Sequence, residues 1–338
     1  MHRLSFYQAV CIIAFFVATI SGGVSPVLSA SEKDAHTSQS EIDLDEINGL
    51  KSLSACRAKL YDSCAAVKSL SLYEFHFRDR TSINVLAFPA KSKLKLAVHF
   101  APAHTQATSK QAKSASAIAA VNGGYFNLSD GVSASYAVIN GVSAADPKTN
   151  RALTENPKLL PFLPQIFDRS ELRLLQDKKS ELHYVIAAHS EKLPPGMKLI
   201  DSLQGGPRLL PELTAEREAF IRHEADGTTT DSIGVMRTAA RTAIGLTEDG
   251  QVLVVSVAGK KQSEFSAGLD LATLAKLLKN LGAREALNFD GGTSTTMVLQ
   301  TDLIDGEKAH ADGNYQMLVG LTPETRVKST LCIVERNK

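Results

Sequence analysis

The sequence predicts an α+β fold, a single domain over residues 71–338 with a mixed, largely antiparallel sheet and packed helices. Three observations carry that expectation. Apolar and polar residues alternate from Tyr73 onward at the period of a half-buried strand. Asp270 to Gly282 has the start and stop signals of one amphipathic helix. In the C-terminal third, strand and helix signals are mixed along the chain, as they are in α+β domains.

In chain order, Tyr73, Phe75 and Phe77 alternate with Glu74, His76 and Arg78. Ile83, Val85 and Ala87, and then Leu94, Leu96, Val98 and Phe100, continue the pattern, which predicts a meander with one wet face. Ala117 to Val121 is wholly apolar and runs into Asn122-Gly123-Gly124, as a buried strand opening into a loop would. Val138-Ile139 before Asn140-Gly141 marks a hairpin. Residues 146–180, with Pro147, Pro157, Pro161 and Pro164 among many charges, read as a surface excursion, and 211–237 as another that could serve as a lid. Thr242–Leu246 and Val252–Val257, joined through Glu248-Asp249-Gly250, form a hairpin whose second strand is apolar on both faces and therefore central. The helix follows, with Asp270 as N-cap, Leu269 and Leu274 as a hydrophobic staple, and Gly282 as its left-handed stop. Its buried stripe is Leu271, Leu274, Ala275, Leu278 and Leu281. Further strands are expected at 286–289, 297–299, 316–320 and 330–334.

Residues 1–30 have the order of a signal peptide: a basic start at Arg3, an apolar run from Ala9 to Ile20, and small residues before a cut after Ser29 or Ala30. The run is too short to span a bilayer comfortably, so the mature chain is expected to be secreted or periplasmic, with no stable membrane span. Residues 31–70 read as a polar leader and a short helical segment carrying Leu44, Ile47, Leu50, Leu53 and Leu60. On a straight helix Cys56 and Cys64 would stand about 12 Å apart, beyond cystine reach. A bridge would then join one of them to Cys332, and three free thiols are an equal alternative. Lys plus Arg totals 37 against 36 for Asp plus Glu. That balance lacks the positive excess that binding a nucleic-acid backbone requires. No zinc-type Cys/His spacing is present, and no cofactor is implied.

Three glycine pairs each end a strand: Gly123-Gly124 after Asn122, Gly205-Gly206 before Pro207-Arg208, and Gly291-Gly292 after Asp290. Glycine lets backbone amides approach a ligand, and such loops suit phosphate or sugar hydroxyls. Tight turns are the plainer reading of any one pair. An ionisable or amide side chain stands beside each, with Arg241-Thr242 opening the central hairpin and Ser294 following the third pair. An arginine can fork onto a phosphate, and a carboxylate can handle a proton. Nucleotide-binding GxxxxGK[ST] and GxGxxG loops, HExxH and the GxSxG elbow are all missing.

The stretches NGGYFN (122–127), GGPRLL (205–210), RTAIGLTEDGQVLVVSV (241–257) and GLDLATLAKLLKNLGAREALNFDGGTSTTM (268–297), in that order, resemble the phosphodiester glycosidase family. The resemblance covers about residues 73–336. Thr293 stands where the family usually has a third glycine, Ala258 where an Asp is common, and Lys260 in place of an Arg. The resemblance implies cleavage of a sugar-1-phosphodiester, such as that of N-acetylglucosamine, on the sugar side. It implies a site of Asn122, Gly123, Gly124, Arg241, Asp290, Gly291, Gly292 and Ser294, to which the glycine-loop reading adds Gly205, Gly206, Arg208 and Thr242. Most glycosidases use two carboxyl groups. Asp290 is the first candidate and Glu264 the second, with Arg241 holding the departing phosphate. Two alternatives remain: a non-catalytic envelope protein that binds glycan or phosphodiester, and a hydrolase of another envelope glycosidic bond.

Overall fold

The computed structural model describes residues 59–60, 69–77, 80–301 and 315–336. The signal segment, the leader up to residue 58, Cys56 and Cys64 lie outside them. Among the described residues three large sheets and two two-stranded ones make the fold, and every pairing in them is antiparallel. A seven-stranded sheet has the order Lys59–Leu60, Ser71–Phe77, Thr81–Pro89, Gln251–Gly259, Arg241–Thr247, Ala283–Asn288, Arg208–Leu210. A five-stranded sheet runs Tyr315–Val319, Met297–Gln300, Ala119–Asn122, Ser329–Glu335, Leu94–Phe100, and a second runs Leu182–Ala188, Ser170–Gln176, Lys198–Gln204, Ala137–Ile139, Val142–Ala145.

The large sheet is buried on both faces because its strands alternate between two cores. Ile83, Val85, Leu253, Val255 and Val257 face the Leu271–Asn280 helix, while Leu86, Phe88, Val252, Val254 and Leu287 face the five-stranded sheets. The helix forms where its signals lie: the Asp270 carboxylate accepts the Thr273 amide at 2.8 Å, and Gly282 takes φ +91°. Asn140 and Gly141 both have positive φ, at 51° and 77°, as a two-residue hairpin turn between Ala137–Ile139 and Val142–Ala145 requires.

Four expectations are corrected. The third strand of the meander, Leu94–Phe100, leaves the large sheet and pairs with Ser329–Glu335, and Thr81–Pro89 is buried on both sides rather than wet on one. A short stretch carries no record of which neighbour completes its sheet. The 146–180 excursion ends early: Ser170–Gln176 is a buried strand between Leu182–Ala188 and Lys198–Gln204. In 211–237, Ala215, Phe220 and Val235 are packed into the helix-side core, so this segment is part of the body and not a lid. Leu60, expected in a helical segment, is in a strand instead: Lys59–Leu60 pairs with Ser71 and Leu72. Cys332 is buried with a free thiol, pushed up to about 12 by burial.

Candidate functional site

Strand ends from all three large sheets converge at one place. Asn122 ends its strand, Arg241 and Ser329 begin theirs, Gly205 follows Gln204, and Asp290 stands just beyond Asn288. Asn122 is wholly buried and ties the ends together. Its Nδ2 donates to the Asp290 carbonyl at 2.6 Å, and its Oδ1 accepts from the Thr242 hydroxyl at 2.6 Å and the Thr296 amide at 3.1 Å. The Asp290 amide donates to the Gly123 carbonyl at 3.1 Å. Asn122 and Thr242 therefore aim the Asp290 loop rather than meeting a ligand.

The Asp290 carboxyl is half-buried, and its Oδ1 accepts the Gly291 amide at 2.9 Å. Burial pushes its pKa up to about 6, against the lowering effect of hydrogen bonds from Ser294 and the Gly291 amide. Gly292 has φ +58° with open space around its Cα, and Thr293 beside it is exposed, so the loop faces outward here. A carboxyl with a pKa near 6 is largely ionised at neutral pH and can still take a proton, as a base or nucleophile needs.

The glycines act differently from the sequence expectation. All six amides of the three pairs are already spent within the protein: Gly123 on the Ser329 carbonyl, Gly124 on the Ser329 hydroxyl, Gly205 on Ser170, Gly206 on Asn288, Gly291 on Asp290 and Gly292 on Ala240. At five of the six positions glycine is required because two backbone segments or a packed side chain come close, and at Gly292, which has open space around it, because φ is +58°. A Cβ on Gly205 would come within 2.6 Å of the Asn288 carbonyl oxygen, and one on Gly124 within 2.8 Å of the Gln204 carbonyl oxygen.

Arg241 is likewise engaged. Its Nε donates to the Leu269 carbonyl at 3.0 Å, Nη1 to Ile233 at 3.0 Å, and Nη2 to Arg237 at 2.8 Å and to Gly234. Four of its five N–H donors hold backbone, which leaves no two-pronged fork for phosphate. Burial also pulls its pKa below the ordinary value. Arg208 donates through Nη2 to the Ile186 carbonyl at 2.8 Å, toward the neighbouring sheet. Glu264 sits half-buried in the Gln262–Glu264 turn, its backbone carbonyl against Gly259. Its carboxyl takes no part in the hydrogen-bond network around Asp290 among the described residues.

Sequence reasoning missed Tyr125 and Glu218. The Tyr125 hydroxyl donates to the Gly206 carbonyl at 2.8 Å and accepts from Asn288 Nδ2 at 2.9 Å, joining the second glycine loop to the third. Burial and the nearby Asp290 charge raise its pKa far above the ordinary value, so it stays a neutral donor. The buried Glu218 carboxylate gathers the Ser170 hydroxyl at 2.8 Å, the Ser170 and Arg208 amides at 3.2 Å and the Thr214 hydroxyl beneath Gly206. Tyr125 lay within the quoted NGGYFN run, a signal that was available; Glu218 had none, because its partners are distant in sequence.

Fold and site define an antiparallel α+β domain with a raised carboxyl held at the mouth of interlocked glycine loops. Residues 115–334 match the family model described as phosphodiester glycosidase, and the chain belongs to that family. Among solved structures it is similar to the zebrafish N-acetylglucosamine-1-phosphodiester alpha-N-acetylglucosaminidase catalytic domain auto-inhibited by pro-peptide, at TM-score 0.54 and 17% identity, covering 86% of this chain and 93% of that one. It is also similar to a hypothetical protein from Synechocystis, at TM-score 0.50 and 14% identity, covering 79% of this chain. The alignment spans 62% of the Synechocystis chain's own length. At these identities the likeness is one of fold. The comparison with curated proteins finds no match.

Proposed function

We propose that this protein is an exported phosphodiester glycosidase that cleaves a sugar-1-phosphodiester at the sugar carbon, with Asp290 as its reacting carboxyl. The observation that carries the reading is Asp290 itself: half-buried, raised to about 6, and clamped by Asn122, Gly123 and Gly291 where the strand ends meet. The name of the zebrafish relative supports an N-acetylglucosamine-1-phosphodiester as the first substrate to try. Cleavage there passes through an oxocarbenium-like state, which an ionised carboxylate on the sugar's open face stabilises, either by attack on carbon or by activating water. The phosphodiester is already a fair leaving group, so the reaction asks less of a general acid; this suits a loop in which one carboxyl is central. Among the described residues no helix is long and apolar enough to cross a membrane. A glycan-binding role without turnover is the second reading, favoured by the separation of Glu264 from the Asp290 network.

Purified mature protein screened against a panel of sugar-1-phosphodiesters tests this. Release of free sugar and phosphomonoester is expected, with Asp290→Asn lowering the rate by about 100- to 10,000-fold. Binding of the panel without turnover would favour the glycan-binding role.

A further inference from the structure

A row of residues leads away from the Asp290 loop along the same end of the large sheet. The register pairs His76 with Ser82 and Ser82 with Ala258. Directly opposed residues share a face and stand about 4.5–5.5 Å apart, so these three lie side by side across three strands. Arg241 pairs with Val257, which makes Ala240 the next neighbour of Ala258, and the Ala240 carbonyl accepts the Gly292 amide at 2.8 Å. The row therefore joins His76 to the Asp290 loop. Leu318, Val319 and Gly320 of the adjacent sheet, with the turn after Gly259, close a cavity of about 390 Å³ over it. That volume suits a small glycosyl unit.

The chemistry of the lining has one sign. Lys260 and Lys261 bring positive charge, His76, Ser82 and Gln262 add polar groups, and none of the described lining residues is acidic. The Lys260 amide is anchored to the Arg80 carbonyl at 2.9 Å, which ties the lysine pair to the start of the neighbouring strand. A concave site with clustered cations concentrates anions and rewards them with charge-assisted hydrogen bonds. The cavity floor at Ala258 and the Asp290 loop follow strands two positions apart in the sheet, about 10 Å.

We propose that this cavity is a subsite for a second anionic group of the substrate, a phosphate or carboxylate carried beside the scissile phosphodiester. The substrate class is then a multiply charged sugar phosphodiester. The inference rests on the Asp290 reading for the bond that is cut, but the anion site can be tested without turnover.

Glucose 6-phosphate and glucose serve as binding probes in calorimetric titrations of the mature protein. Glucose 6-phosphate is expected to bind and glucose not to, with affinity falling as salt rises. Lys261→Glu, an exposed position, should weaken glucose 6-phosphate about 10-fold, the loss of roughly one charge-assisted contact. Lys192→Glu, an exposed charge after the Leu182–Ala188 strand, should leave binding within about 2-fold as a control on general charge. In turnover, Lys261→Glu should raise KM for an N-acetylglucosamine-1-phosphodiester bearing a further phosphate on its aglycone and spare the singly charged one. Equal binding of both probes, or equal effects of Lys261→Glu and Lys192→Glu, overturns the subsite. Charge-dependent binding with no phosphodiester cleaved would leave the subsite standing and remove the catalytic reading. Cleavage of both substrates at rates indifferent to Lys261→Glu would do the reverse.

Discussion

Asp290 carries a stability consequence as well as a chemical one. Its folded pKa, about 6, lies above the ordinary 3.8, so between those values the folded chain binds more protons than the unfolded one. Folding therefore loses stability as pH rises from about 4 to about 6, and at neutral pH the ionised carboxyl costs on the order of 3 kcal/mol. Asp290→Asn keeps an acceptor for the Gly291 amide and removes that charge. Thermal melts at pH 7 should show the variant melting above the parent while its activity is lost, and the difference should vanish near pH 4. In the parent, kcat/KM should rise through a limb near pH 6 as the carboxylate forms. Arg241 behaves in the opposite way. Arg241→Ala strands the carbonyls of Leu269, Ile233, Gly234 and Arg237, and denaturant titration should register a loss of about 2–4 kcal/mol. Asp290 could be singled out as a candidate from the sequence because a lone acid between a strand and two glycines is a local pattern. The role of Arg241 was not, since its acceptors lie in a turn whose position the hairpin sequence does not encode.

Among the elements, the helix and the tight turns were readable where caps and glycines are local signals. Asp270 holds the Thr273 amide and hydroxyl, both at 2.8 Å, so Asp270→Ala should lower stability by about 1 kcal/mol in chemical denaturation, with activity retained. The glycine loops were found but their use was misread. Glycine next to an ionisable residue signals either a ligand or a second chain close by, and the sequence is the same in both cases. The distances at Gly124 and Gly205 decide for chain against chain. The strand Leu94–Phe100 shows the matching limit for sheets: its alternation was evident, its partner Ser329–Glu335 was not, because pairing over more than two hundred residues leaves no local trace.

For the whole molecule, export remains a proposal from residues 1–30, and intact-mass measurement of secreted protein should find a chain beginning near residue 30. The charge balance, with 37 basic and 36 acidic residues, hides the local asymmetry of the Lys260 and Lys261 cavity, because net charge averages over surfaces that folding separates. By itself the sequence determined the α+β class, the central hairpin and the helix with its caps, and it singled out Asp290 as the candidate carboxyl on which the proposed function rests. Those features depend on periodicity and on residues within a few positions of one another. Only the tertiary structure decided that Asn122 aims the Asp290 loop, that Arg241 and the glycine amides are spent on backbone, and that Tyr125 and Glu218 lock the loops together. Each of these rests on partners brought within hydrogen-bond reach by packing three sheets, and buried polar groups take the partners that packing supplies.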